Sequence, residues 1–152
     1  MKRFLVDSGF ILALYKNEGE QTQRVRQTFQ RIVSSSGSIL VVPWPVLHER
    51  FNSEFVRKRD WIERFNRDWS SLQRLQMVEY IDDSPFRLIC RNELLGLSPE
   101  RSGRFKGLSL VDRILMDLLE DGTKNIEALL TLDLRDFSGF CSKRQIEILP
   151  GA

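Results

Sequence analysis

The chain has 152 residues, 41% of them hydrophobic and 29% charged, with a net charge of only +2. That suffices for one well-packed domain and is short for two, so residues 1–150 read as a single domain, and any affinity for polyanions must come from the local placement of charge. No apolar stretch approaches the length that spans a bilayer, and the apolar run behind Lys2 and Arg3 is broken at Asp7, so neither a membrane anchor nor a signal peptide is expected. The first strand is expected at Lys2–Val6, a short apolar run ended by the turn Asp7-Ser8-Gly9. Helical turns follow over Phe10–Tyr15. A second, amphipathic helix is expected from Gln21 to Val33, where Val25, Phe29, Ile32 and Val33 recur at helical spacing. Ser38–Val42 reads as the second strand, stopped by Pro43. Pro43-Trp44-Pro45 turns the chain, and Pro45 fits the first turn of a helix through Phe51. Trp61, Phe65, Trp69 and Leu72 mark a further helix after Lys58-Arg59-Asp60. A third strand is expected over Met77–Ile81, a helix over Phe86–Leu95, a loop from Gly96 to Gly107, and a helix over Ser109–Leu119 closed by Asp121-Gly122. Ile126–Leu132 and Gln145–Leu149 read as the last two strands. Lys143, between them, reads as a loop residue.

Strands separated by helical segments describe an α/β domain with a mainly parallel sheet and helices on both faces. In such sheets the ligand crevice lies beyond the carboxyl ends of the strands. Four acids fall at that edge. Asp7 ends the first strand, and Glu49 lies one helical turn past Pro45. Asp112 lies in the first turn of its helix, and Asp133 follows Ala128-Leu129-Leu130-Thr131-Leu132. Each has an ordinary explanation, since a carboxylate at a helix start caps free N–H groups and faces the positive end of the helix. Asp136 reads as a turn residue before Phe137. Taken together, carboxylates that share one cleft repel one another, and a hard divalent cation relieves that. The lone histidine, His48, has no serine or cysteine partner at a motif spacing and reads as a surface residue. There is no phosphate-binding glycine loop. Cys90 and Cys141 have neither zinc-finger nor CxxC spacing and are expected to be reduced thiols in a cytoplasmic protein.

The order and surroundings of these acids resemble a PIN domain, in particular the VapC-type toxin ribonucleases. The matching segments are Phe4–Gly9, Pro45–Glu49, Leu108–Asp112 and Leu130–Asp133 with Asp136-Phe137. The resemblance spans the chain and implies a three-layer α/β/α sandwich, Mg²⁺ or Mn²⁺ as cofactor and endonucleolytic hydrolysis of RNA. It implies that Asp7, Glu49, Asp112 and Asp133 are the catalytic acids, with Asp7, Asp112 and Asp133 on the metal and Glu49 either a ligand or a guide for the attacking water. Ser8 and Thr131 match hydroxyl positions that support the acids, with Asp136 a further supporting residue. It also implies a homodimer and a cognate antitoxin as partners. Arg113 departs from the pattern, which places a small residue after this Asp. A guanidinium there is expected to pair with a carboxylate or contact a phosphate.

For the RNA itself, Arg101, Arg104 and Lys106 just ahead of Asp112 form a basic patch that could grip the backbone, with Arg113 beside them. A second set, Arg50, Arg57, Lys58, Arg59, Arg64 and Arg67, is interleaved with Trp61, Phe65 and Trp69. These aromatics read either as a buried helical stripe or as stacking platforms for bases, and the resemblance implies a third reading of the region, as a contact surface for the dimer partner and the antitoxin. The competing class is a PIN-like module that binds RNA or a protein and does no chemistry. An aspartyl-nucleophile phosphatase is disfavoured, because the second acid it needs two residues after Asp7 is Gly9.

Overall fold

A computed structural model describes residues 1–16, 19–52, 54–97 and 107–151. Its five strands are β1 (Lys2–Val6), β2 (Ser38–Pro43), β3 (Val78–Ile81), β4 (Ala128–Leu130) and β5 (Glu147–Leu149). Its helices are α1 (Ser8–Tyr15), α2 (Glu20–Val33), α3 (Trp44–Phe51), α4 (Arg59–Arg74), α5 (Ser84–Leu94), α6 (Leu110–Glu120) and α7 (Leu134–Lys143), with 3₁₀ turns at Glu54–Arg57 and Gly122–Lys124. The strands pair in the order β3-β2-β1-β4-β5, and every pairing is parallel. The expected mainly parallel sheet is thus wholly parallel among the described residues.

β1 takes the centre because Phe4, Leu5 and Val6 present apolar side chains to both faces, as a strand covered on both sides must. Leu5 sits opposite Val41 on one side and Leu129 on the other. The chain moves outward from β1 through β2 to β3, then returns to β1's other flank with β4 and β5. That reversal places a crevice at the carboxyl ends of β1, β2 and β4. α1 packs against α2, α3 and α4, while α5 packs on α6. The three-layer α/β/α architecture expected from the sequence is the one observed.

The aromatic stripe of α4 turns inward. Phe65, Trp69 and Leu72 are buried and Trp61 is partly so. The hub is Tyr15, whose ring meets Phe55 and Phe65 edge-on at 5.9 and 5.8 Å. Its hydroxyl donates to Asp68 at 3.0 Å. Arg59, Arg64 and Arg67 pair with Glu63, Asp60 and Asp68 respectively. Of the two readings of this stripe, the buried one holds, and the rings are not free to stack on bases. No helix among the described residues is long and apolar enough to cross a membrane.

Two sequence expectations need correction. Lys143 ends helix α7 and does not lie in a loop; the helix forms because Leu134, Phe137, Phe140 and Cys141 recur at helical spacing and Phe137 is fully buried. The fourth strand is shorter than Ile126–Leu132. Its ladder covers Ala128–Leu130, and Asn125 before it adopts a left-handed conformation (φ 53°) that ends the preceding 3₁₀ turn. Most of the expected Gly96–Gly107 loop, residues 98–106, lies outside the described residues.

Candidate metal centre and active site

Each acid reaches the crevice by a different local route. Asp7 continues β1: its own N–H donates to Leu130 O at 3.0 Å, so it is still held by the sheet when α1 begins. Its carboxylate caps α1, accepting from the Ser8 N–H at 2.7 Å through Oδ1. The other oxygen, Oδ2, accepts from Thr131 Oγ1 at 2.7 Å. Glu49 rises from α3, which Pro43 and Pro45 start directly off β2, and Ser8 Oγ donates to its Oε2 at 2.6 Å. Asp133 caps α7, accepting the Asp136 N–H at 3.1 Å, and its own N–H donates to Thr131 Oγ1 at 3.0 Å. Asp112 occupies the first turn of α6, where Ser109 Oγ caps its N–H at 3.2 Å.

These routes converge. Asp7, Ser8, Gly9, Glu49, Ser109, Asp112, Leu132 and Asp133 line one cleft of about 490 Å³. A larger hollow of about 560 Å³ lies between α2 and α4 and contains Asp68, which is already bonded to Tyr15 and Arg67. Volume alone therefore does not locate the chemistry. Carboxylate oxygens of Asp112, Asp133 and the exposed Asp136 lie within 4.8 Å of one another, and the first two line the cleft. Asp136, read from the sequence as a turn residue, thus joins the group. Its place follows from α7, whose N-cap Asp133 puts Asp136 in the first helical turn. Asp7 stands outside that trio. Its two oxygens each accept one hydrogen bond, and each keeps a second lone pair that could ligate a cation.

The electrostatics record the crowding. Burial pushes the Asp7 carboxyl up to about 6, and the Asp112 and Glu49 charges add to this, against the lowering effect of the Thr131 and Ser8 bonds. Asp112 is also raised, first by burial and then by Asp133, Asp136 and Glu49, while its bond with Ser109 lowers it. A set made only of carboxylate and hydroxyl oxygens suits a hard ion such as Mg²⁺ or Mn²⁺ and not a thiophilic one.

The remaining candidates divide. Ser8 and Thr131 touch the acids as described. Arg113 is a correction: it is buried, its Nη1 donates to Glu93 Oε2 at 3.1 Å and its Nε to Leu108 O at 3.1 Å. A guanidinium spent on an interior carboxylate and a carbonyl does not reach a phosphate, so of the two sequence readings the pairing one holds. Arg101, Arg104 and Lys106 lie outside the described residues. His48 is exposed against Trp44, with ring centroids 6.1 Å apart. Cys90 and Cys141 are buried thiols outside any disulfide, and Cys90 Sγ donates to Asp117 Oδ2 at 3.3 Å.

No family model matches the sequence, and no curated protein sequence matches it. Among solved structures the chain superposes on the crystal structure of Mycobacterium tuberculosis VapC20, described as a toxin that cleaves the sarcin–ricin loop. The TM-score is 0.60 and the identity 16%, over 90% of this chain and 94% of that one. The chain has a VapC-like PIN fold. At that identity the PIN likeness speaks to architecture, and the cleft itself must carry the chemistry.

Thr131 joins two of the acids through one hydroxyl. Replacing it with Val keeps the shape, strands the Asp133 N–H and takes a donor from Asp7. The expected cost is about 1–3 kcal/mol of stability for the unpaired groups. Urea melts of the variant beside the wild type check the number.

Proposed function

We propose that this chain is a metal-dependent endoribonuclease that hydrolyses RNA phosphodiester bonds, acting as a cytoplasmic toxin held in check by a cognate antitoxin and working as a homodimer. The observation that carries the nuclease reading is the convergence of Asp7, Glu49, Asp112 and Asp133 on one cleft at the carboxyl edge of a parallel sheet. The RNA substrate and the toxin role draw on the likeness to VapC20, whose description is that of a toxin that cleaves the sarcin–ricin loop.

In this reading Asp112, Asp133 and Asp7 hold Mg²⁺ or Mn²⁺, with Asp136 close enough to share it. Bound there, the ion would neutralise charge building on the phosphodiester and lower the pKa of an attacking water. The protein's own groups do the rest. Ser8 fixes the Glu49 carboxylate by the 2.6 Å hydrogen bond, so Glu49 is pre-aimed to accept a hydrogen bond from the water and orient it. Thr131 and the Ser8 N–H hold both Asp7 oxygens in one rotamer, which fixes the ligand before substrate arrives. The water's oxygen bonds to phosphorus as the bond to the leaving ribose oxygen breaks.

A non-catalytic PIN-like module would share the fold but would gain nothing from the ion. For the working site, Mn²⁺ at about 100 times its dissociation constant is expected to add about 2.7 kcal/mol of stability by mass action. The gain should be larger at pH 7.5 than at pH 5, because Asp7 is mostly protonated below about 6 and ligands must shed their protons. Thermal melts with and without Mn²⁺ at both pH values, beside an RNA cleavage assay, decide between the two. No shift and no cleavage would leave only the binding module.

A further inference from the structure

Three of the cleft acids take their position from the sheet. Asp7 continues β1, Asp133 follows β4, and Glu49 sits on a helix that begins where β2 ends. Asp112 has no such support, because α6 does not start from a strand. What fixes its first turn is side-chain bonding. Ser109 Oγ caps the Asp112 N–H, and the next residue, Arg113, plunges into the interior. Neighbouring residues on a helix point about 100° apart. Asp112 can therefore face the cleft while Arg113 faces α5.

We propose that Arg113 is a positioning residue for Asp112, acting through a buried tie that joins the start of α6 to α5 and to the chain just ahead of the helix. Two arms of the tie lie among the described residues. Nη1 donates to Glu93 Oε2 on α5 at 3.1 Å, with the two side chains 8% and 1% exposed. Nε donates to Leu108 O at 3.1 Å, which pins the backbone one residue before the cap. A planar guanidinium can serve both acceptors at once, whereas a lysine ammonium is a single point that cannot span them with fixed geometry. This rests on the ribonuclease reading, in which the placement of Asp112 matters to the ångström.

The test separates positioning from bulk stability with two variants. Arg113→Lys keeps the charge opposite Glu93 and loses the fork. Arg113→Met combined with Glu93→Gln leaves no buried charge from this pair. Amide hydrogen exchange is read without metal at Asp112 and Arg113 in the first turn of α6 and at Leu118 further along. Mn²⁺ affinity is read by electron paramagnetic resonance, and kcat and KM with an RNA substrate. The expected result is faster exchange confined to the first turn, with Leu118 protected as in the wild type. Mn²⁺ affinity and kcat should fall on the order of tenfold or more, with KM for RNA nearly unchanged, and Arg113→Lys should be the milder variant. Wild-type exchange, metal affinity and kcat in both variants would overturn the proposal. So would loosening spread equally to Leu118, which is what a merely structural pair gives. A wild-type protein that neither binds Mn²⁺ nor cuts RNA would instead sink the ribonuclease reading, and the role of Arg113 in it as well.

Discussion

Changing Asp7 to Asn is expected to abolish RNA cleavage while making the metal-free protein more stable at neutral pH. The two effects have one origin. Folded Asp7 holds its proton up to about pH 6, whereas its ordinary value is 3.8. Between those values the folded state binds more protons than the unfolded one, so stability falls as pH rises through the window and stays reduced above it. A gap of about two pH units corresponds to roughly 3 kcal/mol. Asn carries no charge to bury. Its oxygen can still accept from the Ser8 N–H, and its amide faces the Thr131 hydroxyl at a cost of about 1 kcal/mol for the altered bond. The net gain at pH 7.5 is about 1–2 kcal/mol, shrinking toward zero near pH 4. Cleavage should drop by more than the roughly 100-fold typical of lost supporting groups. Denaturant melts at pH 4.5 and 7.5 and a Mn²⁺-dependent cleavage assay measure both. Undiminished cleavage by Asp7→Asn would refute the proposed site, and lost stability at pH 7.5 would refute the charge burden assigned to it.

The second large effect is expected at a buried residue that does not line the cleft. Phe137 is fully buried and, with Cys141, seats α7 against the core. Phe137→Ala removes that seat and should cost about 3–5 kcal/mol, the usual range for a buried phenyl ring. α7 also begins at Asp133 and carries Asp136 in its first turn, so the same loss loosens two of the three clustered carboxylates. Mn²⁺ affinity and cleavage should therefore fall at temperatures where the variant is still folded by circular dichroism. Lys143→Ala, at the exposed far end of the same helix, should stay within about 0.5 kcal/mol of wild type and cut RNA normally. If Phe137→Ala melted early but bound metal as tightly as wild type, α7 would not be what places Asp133.

What the sequence made legible follows from how local each signal is. β1 and its carboxyl end were readable because Phe4-Leu5-Val6 is an unbroken apolar run and Asp7-Ser8-Gly9 stops it abruptly. α3 was readable because Pro43 and Pro45 leave the backbone few other courses. α7 was obscured by its composition. Ser138, Gly139 and Ser142 are poor helix formers, and the element exists because tertiary burial of Phe137 overrides propensity. The direction of Arg113 was not readable either. Its acceptor, Glu93, lies 20 residues back on another helix, and no pattern within α6 points to it. The same holds for the grouping of Asp136 with Asp112, which depends on where two unconnected helices begin.

The hydroxyl that steadies Asp7 belongs to a residue 124 positions later in the chain. β4, which brings that hydroxyl, can pair with β1 only after the residues between them have been made. Synthesis runs from the amino end, and domains condense as their parts emerge. Asp7 therefore emerges long before the group that steadies it, and assembly of the cleft waits on the pairing of these two strands.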